Sequence, residues 1–534
     1  MKTKAMSLVV PGLVVVSSGS TLSADPPKLA QAKPAITSNS VFFIRDVMPL
    51  LTGLGCNSVQ CHGAPLGKGG IPPTPEEARA FLADADPQKP AKLIDRLLVR
   101  EEFFDFAAVK WRDLLRIKAE EPINLWPKAA ETYYQWVRES IARNKPCDQF
   151  ARELLTGSGS DFRDGPANYV RAAPERDPQT LGESTALVFL GARLSCARCH
   201  AHPVENWGTD DDLGMAAFFT QVKMKSTNEW KEQIVCRDPG KKLRHPRTGK
   251  FVSPKPLGGP VMALDDPMDP RRRLADWLTA PGNPWFARNI VNRVWFWLLG
   301  RGIVHEPDDV RPTNPPENPA LLDYLAKELV DHQYDLRHIY RLVLNSKTYQ
   351  LSSDPHPLSE KDTAHFSHYE AKRLTAEQIL DTMVQITENP RHYRQFSRPN
   401  TAPSTTVPMD VKAAQMAETS EASTLAAMFG RPERGTAMER ERATDINPLH
   451  IQFFVSSNSV EWGIGESPRI ERIRKGKKDA EIIEEVFLIV LSRFPKETEK
   501  KKLGDYFAQD KDHRRAVCDL IWALLNTEEF LLNH

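Results

Sequence analysis

Apolar residues recur at helical spacing along most of the chain, and few stretches alternate as a strand would. Thr74-Pro-Glu-Glu77 has the pattern of a capping box with proline in the first turn, which predicts a helix start. Further helices are predicted at 88–99, 103–117, 127–144, 147–156, 179–193, 211–222, 284–299, 319–333, 336–345, 375–388, 411–428, 448–454, 479–493, 496–508 and 513–525. The pattern therefore predicts a mainly α, multi-helix fold.

The helical pattern is interrupted at residues 224–266, which are rich in Lys, Pro and Gly. Such a composition is typical of a linker or a small extended hairpin. Helical patterning resumes at Asp269. We therefore expect two helical domains, at 71–223 and 267–534, joined by a Pro/Gly/Lys-rich linker.

The first 24 residues have the pattern of a signal peptide. Lys2 and Lys4 precede a mostly apolar run from Met6 to Val16, and cleavage is expected after Ala24. An uncleaved anchor is the competing interpretation. No later stretch reaches the roughly 18 apolar residues of a membrane span, so the mature chain is expected to have none. The sequence thus predicts export to the periplasm or another extracytoplasmic space.

The balance of charged residues bears on which kinds of molecule the protein can bind. The chain has 534 residues, with 71 Lys and Arg against 70 Asp and Glu, so its net charge is +1. This balance gives no electrostatic reason to expect nucleic acid as a partner. Hydrophobic residues at 40% and charged residues at 26% suit a globular protein with apolar cores.

The cysteines carry the main chemical signal. Seven is an odd and sparse number for a disulfide scaffold, yet four form two close pairs, each followed by histidine. In Cys196-Ala-Arg-Cys199-His200, two thiols on one helical turn can form thioethers to haem, while His200 ligates the iron. The alternatives are a pair of structural cysteines, or zinc held by this motif together with His202.

The second pair is less specific. Four residues separate Cys56 from Cys61, and His62 follows. A second haem c, ligated by His62, is one interpretation, and a disulfide that closes a small loop is the other. At the first site, His202 is expected in a supporting or surface role, and the distal iron ligand stays open among Met215, Met224, Met262, His245 and none.

Three other segments each have two interpretations. Charge alternates along 431–442, which favours a solvated, salt-bridged face or loop over a site whose arginines hold carboxylates or haem propionates. The aromatic run at 285–297 favours a core helix over a sugar platform. Three successive aspartates at 210–212 favour a helix N-terminus over a cation site.

The chain resembles a known family at several motifs. These are Lys110-Trp-Arg-Asp-Leu-Leu115, Cys196-Ala-Arg-Cys-His-Ala-His-Pro203, Ser346-Lys-Thr-Tyr-Gln350 and Phe429-Gly-Arg-Pro-Glu-Arg-Gly435. They resemble planctomycete-type cytochrome c-like proteins that combine domain of unknown function 1549 with domain of unknown function 1553. The resemblance covers roughly residues 71–534, and residues 25–70 are similar to the short cytochrome c-like segment of such proteins.

That resemblance implies haem and export but no substrate. Relatives usually have a long stretch between the first Cys–His motif and the Pro-Thr-Pro-Glu-Glu helix, whereas here only Gly63 to Pro73 lies between them. This difference weakens the case for a haem at Cys56, Cys61 and His62 and leaves the case for the Cys196–His200 motif unaffected.

Three functions follow as hypotheses. The first is an electron-transfer protein with one haem c, or two, and an unidentified redox partner protein. The second is a haem enzyme of peroxidase or oxidase type that acts outside the cytoplasm. The third is a structural or glycan-binding exported protein. We expect the helical body on either side of Cys196 to exclude water from its haem, which would raise the potential.

Overall fold

The computed structural model of this protein describes residues 71–353, 355–389, 412–417, 424–510 and 512–533. The predicted signal peptide, the segment 25–70 with Cys56, Cys61 and His62, and part of the predicted helix 411–428 lie outside these residues. Those expectations therefore stay predictions.

Helices dominate the described residues, which confirms the predicted fold class. The first seven are α1 Pro75–Ala83, α2 Lys89–Leu97, α3 Glu101–Leu114, α4 Pro127–Ala142, α5 Cys147–Thr156, α6 Pro178–Leu190 and α7 Thr209–Ala217. The predicted capping box begins α1, because Thr74 Oγ1 accepts from the Glu77 amide while Glu77 accepts from the Thr74 amide at 3.0 Å.

A small antiparallel sheet begins where the helical pattern stops. Its strands are β1 Gly159–Ser160, β2 Val222–Ser226 and β3 Gln233–Arg237, in the order β1-β3-β2. Val222 lies opposite Arg237 in the hairpin. Of the two expectations for 224–266, the hairpin is therefore what the structure shows at the start of this segment.

The chain after the hairpin is again helical. The helices are α8 Pro270–Leu278, α9 Phe286–Leu299, α10 Pro319–Asp331, α11 Leu336–Leu344, α12 Ala376–Thr387, α13 Thr424–Met428, α14 Pro448–Ser456, α15 Asn458–Gly465, α16 Pro468–Arg474, α17 Asp479–Leu491, α18 Glu497–Gln509, α19 His513–Leu525 and α20 Glu528–Leu531. Strands β4 Lys372–Arg373 and β5 Leu532–Asn533 pair antiparallel. No helix among the described residues is long and apolar enough to cross a membrane.

Two hydrophobic cores hold these helices together. The first extends from Ile94 to Tyr369, with single contributions from Ala417 and Ala437, and contains the aromatic residues of α9, including Trp295 and Trp297. The second is built from residues between Leu374 and Leu531. Residues on both sides of 224–266 share the first core, so the predicted linker does not separate one core from the other.

Charged side chains are buried where segments from both cores meet. On α3, Arg112 is fully buried and pairs with Glu377 of α12. Its neighbour Asp113 accepts from Arg434 Nε at 3.0 Å and from Arg442 Nε at 2.8 Å. Arg442 also donates to Glu377, from Nη1 at 2.9 Å. We call Arg112, Asp113, Glu377, Arg434 and Arg442 the buried charge cluster.

This cluster corrects the expectation for the segment 431–442. The segment is salt-bridged as predicted, but it is not a solvated face, since Arg434 is 1% exposed and Arg442 is 8% exposed. Gly430 lets the segment fold back, because its φ of +74° favours glycine and an added Cβ would lie 2.2 Å from the Ala443 carbonyl oxygen.

Candidate functional site

The Cys196–His200 motif lies on a turn between α6 and α7 rather than on a helix. Helix α6 ends at Gly191, whose φ is +69° and where a Cβ would lie 2.6 Å from Val310. No other residue fits this C-cap without moving its neighbours. The chain therefore leaves the helix abruptly and reaches the cysteine turn within a few residues.

Both thiols of the turn face outward, while Ala197 between them packs inward. Ala197 is fully buried in the first core, and its amide donates to the Leu194 carbonyl at 2.8 Å. Cys196 and Cys199 are exposed and form no disulfide. Two accessible thiols on one anchored turn match the requirement for two thioether bonds to one haem.

The histidine that follows is also exposed, and its orientation is partly fixed. His200 Nδ1 lies 2.7 Å from the carbonyl oxygen of Ala201. When Nδ1–H donates there, Nε2 is left with its lone pair for a metal ion, the arrangement common among metal-ligating histidines. The residues present therefore fit a c-type haem at the turn.

The surroundings differ from the expectation in one respect. Cys196, Cys199 and His200 are exposed among the described residues. The described helices therefore do not enclose this site, and the expectation of a water-excluding body around it is wrong for that part of the chain.

An acidic group that the sequence did not indicate lies beside the turn. Arg198, between the two cysteines, is 3.2 Å from Asp177, 3.6 Å from Glu175 and 3.8 Å from Glu183. Burial and the nearby Asp212 carboxylate raise the pKa of Glu183 to about 7. No local pattern marks Glu183, because its neighbours come from the α6 N-terminus, the turn and α7.

Replacing this carboxyl group should stabilise the protein in a pH-dependent way. The folded-state pKa of Glu183 is raised above its ordinary 4.5, so its contribution to stability is present below pH 4.5 and is lost as the pH rises through about 7. We expect Glu183→Gln to raise the free energy of unfolding by about 1–2 kcal/mol at pH 8, a value reduced for partial solvent screening.

Urea unfolding at pH 8 and at pH 4 measures this difference, and the gain should disappear at pH 4. Glu131→Gln, on the exposed surface of α4, is the matched control and should change stability little at either pH. Equal effects of Glu183→Gln at both pH values would show that the raised pKa is not the cause.

The other predicted ligands are engaged elsewhere. Met215 is fully buried in the first core. Met224 and Met262 pack against the same core, and His245 Nε2 is 3.1 Å from Asp210. The His202 amide donates to the Trp207 carbonyl at 2.8 Å, which closes the loop after the motif. Asp210 to Asp212 lie in the first turn of α7, as predicted.

Zinc finds less support at this turn. A metal site needs at least three potential ligand atoms close together. Among the described residues, Glu328, His332 and His338 have such atoms within 4.8 Å of one another. In that group, Glu328 already lies 2.8 Å from His338 Nε2, and the two imidazole rings stack with centroids 3.7 Å apart. Cys196, Cys199 and the following histidines form no such group.

Comparisons with known proteins identify two segments. Residues 66–224 match the family model PSCyt2, described as a protein of unknown function (DUF1549). Residues 270–507 match the family model PSD1, described as a protein of unknown function (DUF1553). The combination indicated by the sequence motifs is therefore confirmed. No curated protein and no solved structure matches the chain.

Proposed function

We propose that this chain is an exported electron-transfer protein that carries one haem c on the Cys196–His200 turn. The observation that carries the proposal is the set of three exposed groups on one anchored turn: two thiols without a disulfide, and an imidazole whose Nδ1 faces a carbonyl. Export is proposed on the signal-peptide pattern of residues 1–24.

Each residue of the turn has a separate task. Cys196 and Cys199 would hold the haem through two thioether bonds, each thiol adding its sulfur and hydrogen across one vinyl group, which needs no other oxidant or reductant. His200 would ligate the iron through Nε2, with the Ala201 carbonyl holding its tautomer. Bound haem supplies one-electron chemistry between Fe(II) and Fe(III). Arg198 anchors the turn through its acidic partners.

Exposure favours electron transfer over a haem enzyme. A partner protein can approach an exposed turn directly, while a peroxidase or oxidase places an open iron position inside a distal pocket. The motif lines none of three cavities in the described part of the chain, which have about 440, 30 and 20 Å³. An exposed haem should also have a lower potential than one enclosed by apolar side chains.

Haem attachment provides the test. The full chain is matured in a host with c-type assembly machinery, and its haem is stained on a denaturing gel and counted as pyridine haemochrome. We expect covalent haem at about one per chain, and its complete loss from this site in Cys196→Ser with Cys199→Ser. Cys236→Ser, which removes a thiol on β3, is the control and should keep its haem.

The variants also distinguish the two motifs. If the double serine variant keeps haem that is lost only with Cys56→Ser and Cys61→Ser, then the proposal has the wrong site. Bound zinc without any haem would contradict it altogether. Two haems per chain, one lost with each pair, would add the second haem that the N-terminal motif suggests.

A further inference from the structure

A cleft of about 440 Å³ lies between the β2–β3 hairpin turn and the chain leading into α4. The other cavities described have only about 20 and 30 Å³, room for about one water molecule each. This cleft, which we call the hairpin cleft, is therefore the one among them that can hold an organic ligand. It does not include the cysteine turn.

Two exposed tryptophans line the hairpin cleft. Trp230 is 74% exposed and Trp126 is 38% exposed, although tryptophan is usually well buried. Lys231 Nζ lies 5.5 Å from the Trp126 ring and 5.3 Å from the Trp230 ring, so one cation contacts both. The cleft thus presents flat apolar faces with a positive charge between them.

Unusual backbone conformations gather in the same place. Asn124, Trp126, Arg176 and Lys231 line the cleft, and all have φ between +54° and +76°. Trp126 combines φ +76° with ψ 145°, a conformation that costs a non-glycine residue on the order of 1–3 kcal/mol. Hydrogen bonds hold it there, since its amide donates to Ala119 and its carbonyl accepts from Ala130. Such strain is typical of ligand sites.

Polar groups at the cleft are arranged as donors. Arg176 is fixed by three hydrogen bonds to backbone carbonyls: Nη2 donates to Ile123 and Asn124, both at 2.9 Å, and Nε donates to Arg171 at 3.1 Å. Its Nη1 remains to face a ligand. The Gln233 side-chain oxygen accepts from Arg171 Nε at 3.1 Å, which leaves its amide N–H groups for other partners. These donors lie beside the aromatic faces.

The carboxylates at the cleft are already engaged. Glu229 pairs with Lys128 at 2.6 Å and with Arg163 at 2.8 Å. Glu232 accepts from Thr227 Oγ1 at 2.6 Å and pairs with Arg163. The charge offered to a ligand is therefore that of Arg176 and Lys231, and it is positive.

We propose that the hairpin cleft binds an acidic oligosaccharide. A sugar ring has an apolar C–H face that stacks on tryptophan and a rim of hydroxyl groups that accept from amide and guanidinium donors. Its carboxylate or sulfate group pairs with Arg176, through Nη1, and with Lys231, since hydrogen bonds from a cation to an oxyanion are stronger than those between neutral groups. This inference is independent of the haem proposal.

Isothermal titration of the full chain tests the assignment. The probes are a polygalacturonate oligosaccharide, a sulfated galactan oligosaccharide and a neutral cello-oligosaccharide of similar length. We expect one or both acidic probes to bind at least about tenfold more tightly than the neutral probe, because only they engage the two cations. The stronger of the two acidic probes identifies carboxylate or sulfate as the recognised group.

Variants connect the binding to the cleft. Trp230→Ala should weaken acidic-probe affinity at least about tenfold. The Trp230 side chain is exposed and not part of a core, so the variant should fold normally, which circular dichroism checks. Trp462→Ala, another tryptophan with 61% exposure on α15, is the matched control and should bind normally. Lys231→Gln should reduce the preference for acidic over neutral sugar.

Three results would overturn the proposal. These are no binding of either acidic probe at millimolar concentration, equal affinity for the neutral probe, and equal losses in the Trp230 and Trp462 variants. In each case, the exposed aromatic faces and cations of the hairpin cleft would not be a site for acidic sugars.

Discussion

Glu377→Gln should lower the free energy of unfolding by about 3–5 kcal/mol, the usual range when one partner of a buried ion pair is removed. Glu377 is 2% exposed and is shared by Arg112 and Arg442. Without its charge, Asp113 alone faces the three arginines of the buried charge cluster. The substitution keeps nearly the same side-chain volume, so the loss reports charge rather than packing.

The pH dependence of this loss has a defined sign. Burial disfavours the Glu377 carboxylate, but Arg442 and Arg112 outweigh it and hold its pKa well below the ordinary 4.5. A depressed folded-state pKa contributes stability above pH 4.5 that is lost as the pH falls toward the folded value. The difference between the original protein and the variant should therefore narrow below pH 4.5.

Denaturant unfolding at pH 7 and in a series down to pH 3 provides the measurement. Glu139→Gln is the control, because Glu139 pairs with Arg143 on the surface and their side chains are 57% and 73% exposed. An exposed pair contributes about 0–1 kcal/mol. Equal losses in the two variants would mean that the cluster does not act through buried charge.

The cluster also shows where sequence reasoning reached its limit. The alternating charges along 431–442 are compatible with a segment that faces water and equally with one that is buried against other charged residues, so the pattern does not distinguish the two. The residues that pair with this segment are distant in sequence. Asp113 lies 321 positions from Arg434, and Glu377 lies 65 positions from Arg442. Their proximity depends on how α3 and α12 pack, which no local pattern contains.

Helix positions were predictable because their signals are local. The predicted α5, at 147–156, has the same bounds in the structure, and the Thr74 capping box begins α1. Helices α15 and α16 were not predicted. They are short, α15 contains two glycines, and neither is long enough to establish a helical period.

The candidate site was predictable in chemistry but not in setting. The motif at Cys196, Cys199 and His200 identified which groups lie together, because adjacency along the chain guarantees it. Whether helices enclose the turn depends on the abrupt end of α6 at Gly191 and on the packing of Ala197, and the structure leaves the thiols exposed. The hairpin cleft was missed because Trp126 and Trp230 are distant in sequence.

A second buried pair offers a sharper test of how charge stabilises this fold. Arg293 on α9 and Asp308 are both fully buried, and Arg293 Nη1 lies 2.9 Å from Asp308 Oδ1. Asp308 Oδ2 accepts from the Glu439 amide at 2.6 Å, and Arg293 Nη2 donates to the Leu187 carbonyl at 2.9 Å. In Asp308→Asn, the carboxylate that remains beside Arg293 is that of Glu439, 3.1 Å away.

We expect Asp308→Asn and Arg293→Met each to lower the free energy of unfolding by about 3–5 kcal/mol, because each removes an oppositely charged partner from a buried charge. The double variant removes both charges and keeps an apolar chain in the place of Arg293. Its loss should be smaller than the sum of the single losses by at least about 1 kcal/mol, the coupling expected for residues in direct contact. Urea unfolding of the four proteins at pH 7 measures that coupling. Additive losses would instead show that the two residues stabilise the protein separately, through Leu187 and Glu439, and not through their mutual charge.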